Sequence, residues 1–318
     1  MTHVMAEMVP LGRTGIAVSP LGMGTWQWGD VRLWGYGKDY AQGDVEAAYS
    51  ASRAQGINFF DTAEIYGSGT SERILGRLVR TDSGAGAVVV ASKFAPLPYR
   101  LTARSITSAL DASLSRLGLP RIDLYYVHWT YGLLGVDTLM QTLADAVEAG
   151  KVRAIGVSNY GAAKMRRAHT ILARRGLPLA ANQVHYSLLH RQPERNGVAE
   201  ACLDLGVRLI AYSPLEQGVL TGKYHRGEGH ATALRRLYAG RAMRQLEASR
   251  PLIALLERIG AEHDGKTPGQ VALRWLIQRG AIPIPGAKNV AQATSNGGAL
   301  GWELTGGEMT QLSEMRVS

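Results

Sequence analysis

The sequence predicts an α/β fold in which a single (β/α)8 (TIM) barrel spans residues 1–318. Three observations predict it: short apolar segments typical of strands buried on both faces, helical patterns that separate them, and a composition that marks no second domain. The eight predicted strands cover residues 20–24, 58–63, 87–93, 123–129, 154–159, 180–186, 208–213 and 282–285.

The predicted helices cover residues 44–55, 71–79, 102–117, 137–149, 162–175, 193–205, 268–279 and 289–299, with Asp44 as the N-cap of the first. Most are followed by a glycine, which adopts the left-handed conformation that ends a helix. Residues 9–16 predict an N-terminal hairpin and residues 307–316 an extra C-terminal helix. Residues 224–247 form a long basic insertion, and a connection of that length is usually functional or mobile.

Composition narrows the functional class. The chain is 46% hydrophobic and 19% charged, with no apolar run near the roughly 18–20 residues that span a bilayer and no signal-peptide pattern at its start. The single cysteine, Cys202, indicates a reducing compartment, so we expect a cytoplasmic protein without a membrane partner. The net charge of +9 is spread along the chain without aromatic and basic interleaving. It favours an anionic cofactor over nucleic acid.

Three successive predicted strands end in an ionisable side chain. Asp61 ends the second strand, with Tyr66 five residues further on, Lys93 ends the third, and His128 ends the apolar run of the fourth. Taken singly, they could be a helix cap, a surface tyrosine, a solvated lysine and a core histidine. The carboxyl ends of barrel strands meet at one rim, where the active sites of TIM barrels lie. Their conjunction therefore predicts an active site.

The four side chains suit proton donation to a carbonyl oxygen. A tyrosine has an ordinary pKa near 10, and an ammonium about 4 Å away would favour its phenolate by roughly 4 kcal/mol at an effective dielectric near 20. We therefore expect Lys93 to lower the pKa of Tyr66, Asp61 to keep Lys93 charged, and His128 to orient the substrate oxygen. A proton given to the oxygen requires a second group at the carbon, most simply a hydride.

Several motifs resemble the aldo-keto reductase family, from Leu11 to about Thr310. The densest matches are GINFFDTAEIYG at 56–67, SERILG at 71–76, GVSN at 156–159, AYSPL at 211–215 and TGKY at 221–224. The resemblance implies a barrel that reduces aldehydes or ketones to alcohols with NADPH, or that runs the reverse reaction and oxidises alcohols with NADP+. This family binds its dinucleotide without a Rossmann domain, and the chain has no Gly-x-Gly-x-x-Gly between an early strand and helix.

The resemblance also implies residues for each part of the cofactor. It implies that Ser158, Asn159 and Gln183 bind the nicotinamide carboxamide and that Tyr212 stacks on the nicotinamide ring. It implies that the pyrophosphate is bound by Ser213, Leu215, Gly218 and Lys223. For the adenosine 2′-phosphate, it implies Gly286, Lys288, Gln292 and Asn296. The sequence departs from the family at Ser295, where a glutamate commonly contacts adenine, and at Gln292, where an arginine commonly binds the 2′-phosphate. We expect the protein to prefer NADP over NAD, but less strictly than family members that have both of these residues.

Aromatic residues in the loops after strands one, three and four are the predicted substrate pocket: Trp26, Trp28, Trp34, Tyr36, Phe94, Trp129 and Tyr131. The chain ends soon after the last predicted helix, whereas family members with narrow steroid pockets have a longer C-terminal loop. We therefore expect an open site and a broad-specificity carbonyl reductase acting on small molecules.

Two alternatives remain open from the sequence. Potassium-channel β-subunits resemble this subfamily and act as regulatory partners that bind NADPH, and an alcohol or sugar dehydrogenase would run the same chemistry in the oxidative direction. No metal site is predicted, because the eight histidines include no pair at ligand spacing. The oligomeric state is not predicted.

Overall fold

The computed structural model describes residues 7–84, 86–228 and 246–315. A short antiparallel hairpin, β1 and β2, precedes an eight-stranded parallel sheet, β3 to β10. The strands are β1 Val9–Pro10, β2 Ala17–Val18, β3 Met23–Gly24, β4 Phe59–Asp61, β5 Val89–Phe94, β6 Ile122–Val127, β7 Val152–Ser158, β8 Leu179–His185, β9 Arg208–Tyr212 and β10 Ile282–Pro283.

The sheet closes on itself. Each strand from β3 to β10 pairs with the next one along the chain. At the two ends of that order, the Gly22 amide donates to the Pro283 carbonyl at 2.9 Å and the Gly24 amide donates to the Pro285 carbonyl at 3.0 Å. A parallel bridge between Gly24 and Gly286 continues this seam. The predicted (β/α)8 barrel, with its N-terminal hairpin, is confirmed.

Helices connect the strands and cover the outside of the sheet. They are α1 Val31–Trp34, α2 Gln42–Ala54, α3 Thr70–Arg80, α4 Ala103–Leu117, α5 Val136–Glu148, α6 Ala162–Ala173, α7 Gln192–Arg195, α8 Val198–Leu205, α9 Arg250–Glu262, α10 Pro268–Gln278, α11 Val290–Gly297 and α12 Gly306–Glu314. The last of these is the predicted extra C-terminal helix. Among the described residues, none of the helices has the length and apolar character to cross a membrane.

The alternation of side chains along the strands produces two apolar layers, one in the barrel interior and one between the sheet and the helices. It also directs the polar side chains at the strand ends toward the interior. In β4, Phe59 belongs to the barrel interior and Phe60 to the layer between sheet and helices. Because successive side chains point to opposite faces, Asp61 shares the interior face with Phe59. In β5, Lys93 follows the interior residue Ala91 by the same rule. The hairpin residues Leu11, Ile16 and Val18 pack into this interior cluster.

The helices differ from the sequence-based prediction in four places, the first being the short helix α1, which was not predicted. The helix predicted over 193–205 is two helices, α7 and α8, because Gly197 between them has a φ of 75° that breaks the helix. The helix α9 was not predicted. Asp44 is not an N-cap but the third residue of α2, where its carboxylate accepts the amide of Ala41 at 2.8 Å. Residues 229–245 of the predicted basic insertion lie outside the described residues.

Candidate active site

Three of the four predicted catalytic side chains form a buried hydrogen-bonded group. Lys93 is fully buried, and its Nζ donates to Asp61 Oδ1 and, at 2.8 Å, to the Thr62 carbonyl. The Tyr66 hydroxyl lies 3.5 Å from the same Nζ. Gln183 Nε2 donates to the second carboxylate oxygen of Asp61 at 2.8 Å. An ammonium therefore lies behind the tyrosine hydroxyl and is itself held by a carboxylate.

His128 completes the group from the end of β6. Its ring meets the ring of Tyr66 edge to face, with centroids 5.9 Å apart. The imidazole also stacks on the indole of Trp129, with ring centroids 4.1 Å apart and the ring planes 8° apart. The Nδ1 atom is buried without a hydrogen-bond partner within the described ranges. The imidazole is thus fixed by packing and retains hydrogen-bonding capacity.

Buried ion pairs and hydroxyls fix the loop that bears Tyr66. Glu64 accepts the Ala95 amide at 2.5 Å and two hydrogen bonds from the guanidinium of Arg100 at 2.5 and 2.9 Å. This joins the tyrosine loop to the end of β5, two residues beyond Lys93. At the start of α3, the Ser71 hydroxyl lies within 2.9 Å of the Thr62 hydroxyl. The distance between the phenol and the ammonium is therefore set by contacts outside the reacting group.

Burial dominates the electrostatics of the group. It raises the pKa of the Tyr66 hydroxyl well above 10, and the Asp61 carboxylate raises it further. This is opposite to the expected lowering by Lys93, because the charge of that ammonium is matched by the carboxylate paired with it. Burial lowers the pKa of Lys93, against the opposing effect of Asp61. Burial, with the nearby Lys93, lowers the pKa of His128 well below 6.5. At neutral pH the phenol is protonated and the imidazole is neutral.

A cavity of about 1390 Å³ opens at this rim. Asp61, Tyr66 and His128 line it, with Lys93 behind them. All twelve predicted cofactor residues also line it: Ser158, Asn159, Gln183, Tyr212, Ser213, Leu215, Gly218, Lys223, Gly286, Lys288, Gln292 and Asn296. The rim therefore brings together residues as far apart in the sequence as Asp61 and Asn296, which are separated by 235 positions.

A polar network joins the ends of β6, β7 and β9. The Tyr212 hydroxyl donates to Asn159 Oδ1 at 3.1 Å. Asn159 Nδ2 donates to the Ser158 hydroxyl at 3.1 Å and to the His128 carbonyl at 3.3 Å. Asn159 holds a left-handed backbone with a φ of 61°, which asparagine tolerates better than most residues. The side-chain amide of Gln183, by contrast, donates a hydrogen bond from Nε2 to Asp61.

The loop after β9 is backbone-strained. Ser213, Glu216 and Gln217 have φ values of 49°, 48° and 55°, a conformation that non-glycine residues rarely adopt. Gly218 follows at 95°, and a Cβ there would lie 2.7 Å from the Lys223 side chain. Such strain persists where the surrounding structure imposes it, which is common at ligand sites.

Lys288, which also lines the cavity, precedes α11. Its Nζ donates to the Trp34 carbonyl at 2.7 Å and lies 4.5 Å from the centre of the Tyr40 ring. Gln292 Oε1 accepts the Lys288 amide at 3.0 Å, and Asn296 Nδ2 donates to the Gly286 carbonyl at 3.3 Å. Lys288 and the amide side chains of Gln292 and Asn296 thus line the cavity wall close to Gly286.

The predicted substrate pocket needs correction. Trp26, Trp34 and Trp129 line the cavity, and Trp26 stacks on Tyr66 with centroids 5.9 Å apart. Phe94 does not line it: the residue after Lys93 points to the opposite face of β5 and is fully buried under the helices.

The other aromatic residues also lie away from the cavity wall. Trp28 is fully buried, and its indole donates to the Ala287 carbonyl at 2.9 Å. Tyr36 packs edge to face on Tyr40. Tyr131 does not line the cavity either, but stacks on Trp129 with centroids 5.1 Å apart and is 56% exposed.

Sequence reasoning missed other lining residues, among them Gln27, Asp30, Arg32, Ile65, His185, Gln217 and Arg226. His185 carried a usable signal, since it follows Gln183 by two positions in a strand and so faces the same side. The others lie in loops or, for Arg32, in the four-residue helix α1, where no periodicity indicates the direction of a side chain.

A parallel (β/α)8 barrel with an Asp, Tyr, Lys and His group at its carboxyl rim defines the class of protein as a barrel-type oxidoreductase. A model of the Aldo/keto reductase family matches residues 20–316, so the chain belongs to that family.

Individual relatives agree. The chloroplastic pyridoxal reductase of Arabidopsis thaliana is 42% identical over 308 residues, covering 93% of this chain and 83% of that protein. The aldo-keto reductase yakc [NADP(+)] of Schizosaccharomyces pombe is 34% identical over 81% of this chain and 78% of its own length. A solved structure of the thermostable aldo-keto reductase Tm1743 with the inhibitor epalrestat superposes with a TM-score of 0.76 at 29% identity, over 96% of this chain and 98% of that one.

Proposed function

We propose that this aldo/keto reductase reduces aldehydes and ketones to alcohols with NADPH, and that Tyr66 is the proton donor. The observation that carries the proposal is the Tyr66 hydroxyl 3.5 Å from the Lys93 ammonium, in a cavity that His128 also lines. NADPH, when bound, supplies the hydride that the carbonyl carbon accepts.

Tyr66 supplies the proton. Because its pKa is raised, the phenol keeps its proton until negative charge develops on the substrate oxygen. The O–H bond of Tyr66 then breaks as the new O–H bond of the alcohol forms. Lys93 stabilises the phenolate that is left, and this stabilisation is larger in the transition state than before it. Asp61 keeps Lys93 in place through their ion pair.

His128 orients the oxygen that receives the proton. With its pKa lowered by burial, the imidazole is neutral and has one N–H to donate and one nitrogen lone pair. A neutral donor fixes the carbonyl without competing with Tyr66 as the acid. Stacking on Trp129 limits rotation of the ring.

The cavity fits a dinucleotide. At about 1390 Å³ it exceeds the roughly 300–1000 Å³ of ordinary small-molecule sites, which leaves room for cofactor and substrate together. Lys223 and Lys288 are placed along its wall as cations for phosphate groups, and the amides of Asn159 and Gln183 are suited to a carboxamide. The name of the S. pombe relative, which specifies NADP(+), supports the same choice.

For the substrate, we favour planar aromatic aldehydes, including pyridoxal. Trp26 stacks on Tyr66 and Trp129 stacks on His128, so the two groups that would hold the carbonyl oxygen each have an indole beside them. Flat aromatic rings favour stacking with indoles. The Arabidopsis thaliana relative is named for pyridoxal reduction.

The test is loss of NADPH absorbance with a panel of pyridoxal, benzaldehydes, aliphatic aldehydes, ketones and sugars, repeated with NADH. The proposal predicts turnover that is fastest with aromatic aldehydes and faster with NADPH than with NADH. Tight NADPH binding without turnover on any member would refute the reductase assignment and favour a regulatory role. Activity only with NADP+ and alcohols would reverse the assigned direction.

A further inference from the structure

A second group of titratable side chains lies at the same rim and has no role in the proposed proton transfer. His185, at the end of β8, pairs in register with Tyr212 at the end of β9. The two rings stack with centroids 5.3 Å apart and planes 17° apart. His185 also stacks on His190 at 3.9 Å, with the planes 6° apart. Three rings therefore form one column that ends in Tyr212.

A buried carboxylate fixes the middle ring. Glu216 is 5% exposed, and its Oε1 lies 2.7 Å from His185 Nε2. The same oxygen accepts a hydrogen bond from the Ser187 hydroxyl, which in turn accepts the His190 amide at 2.9 Å. A buried carboxylate is stable only with such partners. The contact orients the His185 imidazole and holds the turn that carries His190.

Glu216 is also part of the strained loop after β9. Its own φ is 48°, and it lies among Ser213, Leu215 and Gly218, which we assign to the cofactor pyrophosphate. Its side chain thus links that loop to the column under Tyr212. The hydroxyl of Tyr212 is held separately, by Asn159.

We propose that the hydrogen bond between Glu216 and His185 couples the nicotinamide and pyrophosphate parts of the dinucleotide site, holding the strained loop of residues 213–218 and the Tyr212 ring in their binding positions at once. This rests on the proposed use of NADPH, and makes both residues positioning residues. Without the link, the loop relaxes from its unfavourable backbone conformation and the ring column loses its orientation. The adenosine 2′-phosphate end, at Lys288, does not depend on it.

The test compares two ligands in equilibrium titrations: NADPH, and adenosine 2′-phosphate, which lacks the pyrophosphate and the nicotinamide. In Glu216→Ala the Kd for NADPH rises about tenfold, the effect of losing a charge-assisted hydrogen bond, while the Kd for adenosine 2′-phosphate does not change. Glu216→Gln, which can still accept from His185, stays within about threefold of the wild type. His185→Phe retains a flat ring but cannot donate, so it behaves like Glu216→Ala and serves if that variant does not fold.

Glu200→Ala, a change of an exposed glutamate in α8, is the control. Unchanged NADPH affinity in both Glu216→Ala and His185→Phe overturns the inference. Equal weakening of both ligands also overturns it, because the role is then general stability. Failure of the wild-type protein to bind NADPH overturns the proposed function itself, and the inference with it.

Discussion

Replacing Lys93 by methionine tests whether Asp61 and Lys93 form a charged pair in the barrel interior. The Lys93 side chain is 0% exposed and that of Asp61 is 2% exposed, so no solvent screens either. In Lys93→Met, Asp61 keeps the Gln183 amide as a hydrogen-bond donor but loses its countercharge. Breaking a buried pair by removing one partner costs about 3–5 kcal/mol, and we expect that loss in the free energy of unfolding.

The double variant Asp61→Asn with Lys93→Met removes both charges and leaves the Gln183 hydrogen bond possible. Because no uncompensated charge remains, its stability should return to within about 1–2 kcal/mol of the wild type. Neither variant should recover turnover, which we expect to fall at least about 100-fold without the ammonium beside Tyr66. The double variant therefore separates stability from catalysis.

Urea unfolding followed by circular dichroism measures the stabilities, with steady-state aldehyde reduction measured on the same preparations. A Lys93→Met protein as stable as the wild type would refute the assignment of a buried ion pair. A double variant less stable than Lys93→Met would show that the two residues are not coupled as described.

Three further predictions concern other parts of the molecule. Lys288→Met should weaken NADPH binding about tenfold and leave NADH binding unchanged in fluorescence titrations, because the lysine is assigned to the 2′-phosphate; equal weakening of both would exclude that role. Burial lowers the pKa of His128 and raises that of Tyr66, so the neutral imidazole persists as pH falls and the protonated phenol persists as it rises. We therefore expect neither His128 nor Tyr66 to cause a transition in kcat/KM between about pH 6.5 and about pH 10, and a transition near pH 7 that disappears in His128→Gln would contradict this. Gly76→Ala would place a Cβ 1.9 Å from the last carbonyl oxygen of α4 and should destabilise by about 3 kcal/mol in urea unfolding, whereas Gly43→Ala, with no atom within 4 Å of its Cβ, should be neutral or slightly stabilising.

The strand pattern predicted the barrel and the rim at which the charged strand ends meet. Apolar runs of four to seven residues and the glycines that end helices mark the order of elements, and alternation then decides which side chains face inward. This is why Asp61, Lys93 and His128 lie together as expected. By the same alternation, Phe94, the residue after Lys93, faces the helices and not the predicted substrate pocket.

Other features depend on packing that local patterns do not encode. Trp28 lies in the same loop as Trp26, but its indole donates to the Ala287 carbonyl in the loop after the last strand, a contact between residues 259 positions apart. The direction of the Tyr66 pKa shift was wrong because the sequence gives no measure of burial, which exceeds the effect of Lys93. The helix α9, by contrast, has a local sequence signal: a proline in its first turn is followed by apolar residues at helical spacing.

The most direct test of proton donation by Tyr66 is a single-turnover reaction. The enzyme is loaded with NADPH, mixed rapidly with pyridoxal or benzaldehyde, and the loss of NADPH absorbance is compared between the wild type and Tyr66→Phe. We predict the same NADPH Kd in both proteins and a rate at least about 100-fold lower in the variant, since the ring and its packing remain and only the proton is lost. A Tyr66→Phe protein that reduces the aldehyde at the wild-type rate, or that no longer binds NADPH, would contradict the assignment of Tyr66 as the proton donor.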